Sequence, residues 1–268
     1  MATKPLEIIP IPAPVQQQRF DLLQTILEQL QNAEQLLQTG DVIAVSSKYA
    51  AISEGRIVEL DSVIPTDRAL QIATRYNMDA RLVQLILENS DHVFGGIQMG
   101  FLLTHTFGII SPNAGLDRSN IPEGKVVLFP AAPYTTAENI RQFLQQHFHV
   151  KIGVILTDSW LMPGRWGTTG VALACAGFEP LQDERGQPDL FGNPMRVTQR
   201  SIADTLCICA QMVMGERDEA TPIALIRHAN IQLTDRSLDV KDVAIPWPMC
   251  IYVESLTSGK LPDELQKG

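Results

Sequence analysis

Apolar residues along this chain recur in two rhythms, one helical and one stranded. Between Gln16 and Gln38, Leu23, Ile26, Leu27 and Leu30 fall on one stripe, which predicts an amphipathic helix with Gly40 as its stop. The segment before it, Ile8 to Val15, carries three prolines and reads as extended or looped. Apolar runs predict strands at Asp41–Ser47, Arg56–Leu60, Phe101–Thr106, Gly108–Ser111, Lys151–Thr157, Val171–Ala176 and Thr221–Arg227. Helices are expected from the cap Thr66 to Tyr76, over Ala80–Glu88, from a Thr135/Glu138 capping box to His147, and from the cap Thr198 to Met214. Strands and helices interleave without a strict βαβ repeat, which predicts a mixed α/β or α+β fold. No repeat or separating linker is visible, so residues 1–268 read as one domain of intimately joined lobes.

Composition narrows the function classes. With 45% hydrophobic and 19% charged residues, the chain has the material for a substantial core. Its formal net charge of −9 and the lack of any basic run argue against nucleic acid or an anionic membrane as partner. No signal-peptide layout or membrane-length apolar run appears, so a cytoplasmic protein is the expectation. Cys175, Cys207, Cys209 and Cys250 show no metal spacing and read as free thiols in a reducing compartment. The five histidines likewise show no ligand spacing.

Three loops offer chemistry. The first gathers Asn113, Gly115, Asp117, Ser119 and Asn120, all of which are also ordinary turn residues. The second opens at Asp158-Ser159, at the expected carboxyl end of a buried strand where α/β proteins place ligands. Its oxygens suit Mg²⁺ or Mn²⁺. Pro163, Gly164, Arg165, Gly167, Thr168, Thr169 and Gly170 follow and offer a phosphate cradle with one guanidinium, or simply a glycine-rich connection. The third is Met214-Gly215-Glu216, where Gly215 suits a helix stop and Glu216 is by itself a solvated acid. No Walker loop, dinucleotide fingerprint, zinc-protease helix or nucleophile elbow is present, so a nucleotide site here is non-standard.

The order of these motifs resembles the coenzyme F420-0:γ-glutamyl ligase family, including relatives in folate glutamylation. The residues carrying it begin at Gly40-Asp41, Ser47-Lys48 and Glu54-Gly55-Arg56. They continue through the Asn113–Asn120 loop, Asp158 and Arg165-x-Gly167-x-x-Gly170. The last are Asp183-x-x-Gly186-x-x-Asp189-x-x-Gly192, Thr198, Ala203-Asp204 and Met214-Gly215-Glu216. The resemblance implies a γ-glutamyl ligase-type fold, a homodimer with interlocked lobes, GTP or ATP as phosphoryl donor and two Mg²⁺ or Mn²⁺ ions. L-glutamate and a small-molecule carboxylate are the implied substrates. Asp117, Asp158, Ser159 and Glu216 become expected metal ligands. Ser47, Lys48, Asn120, Gly167 and Gly215 become nucleotide contacts, and Arg165 with Asp158 the catalytic pair. An acyl phosphate attacked by the glutamate amine is the implied route, because a free carboxylate has no leaving group.

Several positions depart from the family pattern. Leu161 and Met162 replace Gly-Arg, Ile52 replaces a lysine, and His228 replaces a glycine. Both aspartates of a Leu-Pro-x-Asp-Pro-Asp stretch are missing between Leu128 and Ala137. Tyr134, Leu161 and Met162 therefore suggest a flat, apolar acceptor surface, which tilts the expectation from a deazaflavin toward a folate-like acceptor. A non-catalytic nucleotide-binding protein and a metal-dependent phosphohydrolase remain open alternatives.

Overall fold

The computed structural model describes residues 4–257. The chain opens with β1 (Glu7–Ile11), α1 (Leu22–Asn32), β2 (Val42–Ser46), α2 (Ser47–Ser53) and β3 (Ile57–Glu59). Next come α3 (Asp67–Tyr76), α4 (Ala80–Asn89), β4 (His92–Ile97), β5 (Phe101–Thr106), β6 (Ile109–Pro112) and β7 (Lys125–Val127). The second half holds α5 (Pro133–Phe148), β8 (Gly153–Leu161), β9 (Thr168–Ala176), β10 (Leu181–Asp183) and β11 (Gln199–Ser201). It closes with α6 (Ile202–Met214), β12 (Ile223–Arg227) and α7 (Ile251–Thr257). The fold is α+β, as the sequence predicts.

The central sheet runs β1-β12-β2-β8-β9, with only the β2–β8 pair parallel. Alternation divides its side chains between two cores. Ile43, Val45, Val154, Leu156, Ile223 and Leu225 pack with α1 and α5, while Val42, Ala44, Ile155, Ala224 and Ile226 pack with α6. A bulge at Leu173 breaks this alternation, since Leu156 pairs with Ala174 but Thr157 with Ala172. A third core brings together Leu82, Val83 and Ile86 of α4 with Leu102 and Val126. Trp160 Nε1 joins the two parts by donating to Ile110 O at 2.6 Å.

Local expectations fail where a cap or pairing partner outweighs the apolar pattern. α1 spans less than the expected Gln16–Gln38, because Asp21 caps Gln24 N at 3.0 Å and Glu34 turns left-handed at φ 54. The Thr135/Glu138 capping box does not form. Pro133 opens α5 after Ala132, and Glu138 instead accepts from Arg141 Nε at 2.7 Å. Thr198 does not cap α6, which starts after Ser201. The strand expected to end at Asp158 continues to Leu161, because β9 pairs with it from Thr168 onward. The expected Ser159–Gly170 loop shrinks to the tip 162–167. The sequence does not predict β4, β7, β10, β11, α2 or α7.

Candidate active site

β2 and β8 are parallel, and Ser46 pairs with Thr157. The next residue on each strand, Ser47 and Asp158, therefore emerges at the same carboxyl-end edge. Ser47 Oγ donates a short hydrogen bond to Asp158 Oδ2, and the Ser159 amide donates to Asp158 Oδ1 at 2.6 Å. Burial pushes the Asp158 carboxyl up to about 6. The hydrogen bonds from Ser47 and Ser159 offset part of that rise, while the neighbouring Asp117 charge adds to it.

Asp117 arrives from outside the central sheet, on the segment that follows β6. Its backbone pairs with β7 through two hydrogen bonds to Val127, at 3.0 and 2.9 Å. Three consecutive left-handed residues, Asn113, Ala114 and Gly115, turn the chain toward it. Gly115 is required there, since a Cβ would lie 1.9 Å from the Phe129 ring. Burial raises Asp117, but the Lys48 charge and hydrogen bonds from Lys48 and Ser119 outweigh it, leaving the carboxyl below its ordinary value. Lys48 Nζ lies 2.9 Å from Asp117 Oδ2 and 3.0 Å from Ser119 Oγ.

A third group sits beside Asp158. Ser159 Oγ donates to Glu216 Oε1 at 2.7 Å, and Gln211 Nε2 donates to Ser159 Oγ at 2.8 Å and also to Glu216. Gly215 ends α6 at φ 73, and so turns Glu216 into the cleft. Asn120 spans the mouth, its Nδ2 donating to Arg217 O at 2.6 Å.

These residues line one cavity of about 400 Å³, within the range of small-molecule sites. It gathers Ser47, Lys48, Asp117, Asn120, Asp158, Ser159, Gly215 and Glu216. Arg165 and Gly167 are not brought there. They lie on the exposed β8–β9 tip, next to a fully exposed Trp166. Tyr134, Leu161 and Met162 are also absent from the cavity wall, so the expected flat acceptor surface is not part of this cleft.

Other motif residues serve the scaffold. Asp41 is buried and pairs with Arg227 at 3.2 Å. Glu54 accepts from Ala131 N and Thr136 Oγ1, both at 2.7 Å. Asp204 accepts from Ala172 N at 2.8 Å. Asp189 holds a turn through Phe191 N and Asn193 N. Gln211, by contrast, was missed. A glutamine one turn before Gly215 carries no sequence signal until Ser159 is beside it.

Among the described residues, no three His, Cys, Asp or Glu side chains converge as a ready-made metal cage. The donors present are all oxygens, and Asp117 and Asp158 are close enough to repel. That set fits a Mg²⁺-like ion bound by one or two carboxylates plus nucleotide phosphate. No helix of the described residues is long and apolar enough to cross a membrane.

The F420-0:gamma-glutamyl ligase family matches residues 10–228. The coenzyme F420:L-glutamate ligase of Methanocaldococcus jannaschii is 34% identical over 74% of this chain and 80% of its own length. The protein of the same name from Methanopyrus kandleri is 35% identical over 71% of this chain and 76% of its own. Its namesake from Haloarcula marismortui is 37% identical over 71% of this chain and 76% of its own. With its acid-lined cleft, the chain belongs to the F420-0:gamma-glutamyl ligase family and is an amide-forming acid–amino-acid ligase.

Proposed function

We propose that this protein uses a nucleoside triphosphate, GTP or ATP, and two divalent ions to join L-glutamate to the carboxylate of an F420-0-type deazaflavin. The observation that carries this reading is the meeting of Asp117 and Asp158, from separate segments of the chain, in one cleft beside Lys48. The names of the relatives supply the acceptor class. The expected apolar acceptor surface gives a folate-like acceptor no support here, because Tyr134, Leu161 and Met162 lie off the cavity wall, while the broken positions of the F420-type signature remain in its favour.

In the proposed reaction an acceptor carboxylate oxygen attacks the γ-phosphorus. The bond to the β-γ bridging oxygen breaks, and nucleoside diphosphate leaves. The glutamate nitrogen then attacks the acyl carbon, the acyl C–O bond breaks, and phosphate departs with the amide formed and one proton released. Bound Mg²⁺ or Mn²⁺ would neutralise charge on the phosphates. Asp117, Asp158, Ser159 and Glu216 would hold the ions. Lys48 and Ser47 would orient phosphate oxygens, and the Asn120–Arg217 bridge would hold the cleft mouth together. A second copy of the chain is proposed to cover the exposed Trp166, Leu190 and Phe191. The net charge of −9 favours neither nucleic acid nor an anionic membrane as partner.

The decisive assay combines protein, Mg²⁺ or Mn²⁺, GTP or ATP, L-glutamate and one acceptor. Acceptors would include an F420-0-type phosphodiester, a reduced folate and its monoglutamate. Phosphate release that needs both acceptor and glutamate, with a product heavier by glutamyl residues, is the expected outcome. Phosphate release indifferent to glutamate would identify a phosphohydrolase. Nucleotide binding without product from any acceptor would identify a binding protein. Glutamylation of folate alone would move the acceptor while keeping the ligase chemistry.

A further inference from the structure

Ser159 stands directly opposite Gly170 in the β8–β9 ladder. At Gly170 the α6 backbone lies tightly against the sheet. A Cβ at this position would lie 2.6 Å from the Cys207 carbonyl carbon and 2.8 Å from both Cys207 O and Ile208 N. Those atoms are backbone and cannot turn aside. One helical turn beyond Cys207, on the same face, is Gln211. The missing side chain at Gly170 thus lowers α6 until the Gln211 amide meets Ser159.

There the amide closes a triangle. Gln211 Nε2 donates to Ser159 Oγ at 2.8 Å and to Glu216 Oε1, and Ser159 Oγ donates to Glu216 Oε1 at 2.7 Å. Thr168 Oγ1 adds a longer contact to the same Glu216 oxygen at 3.4 Å. Ser159 needs such a clamp. A serine lacks the branched Cβ that would limit rotation about χ1, so its hydroxyl explores all three rotamers unless something holds it. Glu216 is itself exposed, at the start of the loop that Gly215 opens, and without the amide only the Ser159 hydroxyl and the longer Thr168 contact would hold its carboxylate.

The geometry points to Gln211 as a positioning residue that fixes Ser159 and Glu216 for a divalent cation. This rests on the metal-site reading proposed above. The amide does not touch substrate; it acts through its two partners. Groups that orient metal ligands in this way typically change affinity by about 10- to 100-fold when removed.

Mn²⁺ binding would be measured by electron paramagnetic resonance with a non-hydrolysable GTP or ATP analogue present. The proteins would be the wild type, Gln211→Met, Gln211→Asn, Asp158→Asn and the double variant Ser159→Thr/Gln211→Met. Gln211→Met keeps the volume and removes the donor. Gln211→Asn keeps the amide but withdraws it by one methylene, and it serves should the methionine variant misfold. At least about tenfold weaker Mn²⁺ binding in a folded Gln211 variant is expected, with partial recovery when Ser159→Thr restores rotamer restriction. Wild-type affinity in the folded Gln211 variants, beside a loss in Asp158→Asn, would overturn the role of Gln211 alone. Unchanged binding in Asp158→Asn would overturn the metal-site reading itself.

Discussion

Lys48 Nζ forms an ion pair with Asp117 Oδ2 at 2.9 Å while also donating to Ser119 O at 3.2 Å and Ser119 Oγ at 3.0 Å. One ammonium therefore satisfies three oxygens drawn from a single loop, much as a small cation would. Lys48 is carried on α2, directly after β2, so this contact also joins the central sheet to the Asp117 loop.

Replacing Lys48 separates its two duties. We predict that Lys48→Met lowers kcat/KM by about 10²-fold or more, as removal of a group facing phosphate charge commonly does. The pair is partly exposed, and its loss should cost folding only about 1 kcal/mol or less. Asp117 should titrate higher in the variant, which carboxyl-labelled NMR would detect. A fully active Lys48→Met enzyme would remove Lys48 from the site.

Asp158 gives a pH prediction. Its carboxyl rises from the ordinary 3.8 to about 6, chiefly through burial. The folded state therefore holds this proton more tightly than the unfolded chain does. The resulting stabilisation is complete at pH values below 3.8 and lost as pH rises through about 6. Above that, ionised Asp158 costs about 3 kcal/mol at most. Asp158→Asn should therefore melt higher than wild type at pH 8, show little difference at pH 4, and turn over substrate at a negligible rate. A variant less stable at pH 8, or one that retains near-normal turnover, would refute the assignment. Mn²⁺ with nucleotide should stabilise the wild type more at pH 8 than at pH 5, because a proton competes for the same oxygen.

Gly170 can be tested without touching any polar group. Gly170→Ala forces a methyl against the Cys207 backbone at 2.6 Å. Overpacking of this kind costs about 1–3 kcal/mol, and the strain should lift α6 from β9. Activity is expected to fall at temperatures where circular dichroism still reports a folded protein. Normal kinetics in a folded Gly170→Ala protein would show that the close approach is unnecessary for the site.

The exposed hairpin tip makes an assembly prediction. Arg165 lies outside the cleft of its own chain, while Trp166, Leu190 and Phe191 are almost wholly exposed. If a second copy covers this surface, sedimentation should show a dimer for the wild type and a smaller species for Trp166→Glu. If Arg165 also works on phosphate or carboxylate, Arg165→Lys should lose clearly measurable activity, because lysine lacks the two-pronged geometry. A monomeric wild type would end the first idea, and unchanged Arg165→Lys kinetics the second.

What the sequence revealed follows the range of the forces involved. The strands of the central sheet were legible because Val42–Val45 and Val154–Leu156 are buried on both faces and leave unbroken apolar runs. Asp117, Asp158 and Glu216 were legible as acids beside small residues in a recognisable order. β4 was not, because Gly95 and Gly96 interrupt its pattern and its partner β5 supplies the pairing. Gln211 was invisible for a related reason, since its role depends on a helix-to-strand approach set by Gly170. Arg165 was misplaced relative to the cleft because the pairing of β8 with β9 was read as loop, which left the direction of the hairpin unspecified.

The sheet order β1-β12-β2-β8-β9 has a temporal consequence during synthesis. β1 pairs only with β12, and β12 also fills the place between β1 and β2. Two of the first strands to leave the ribosome must therefore wait for residues Ile223–Arg227 before that side of the sheet can close. Until then Ile8–Ile11 remains an unpaired apolar segment, and Val42–Val45, paired with β8 on one side, keeps its other edge open to chaperones or to another strand. The Arg227–Asp41 ion pair forms at that same late moment and joins the newest strand to one of the oldest turns. A nascent chain stopped before β12 would already carry Asp117, Asp158 and Glu216 and still lack the pairing that closes this side of the sheet.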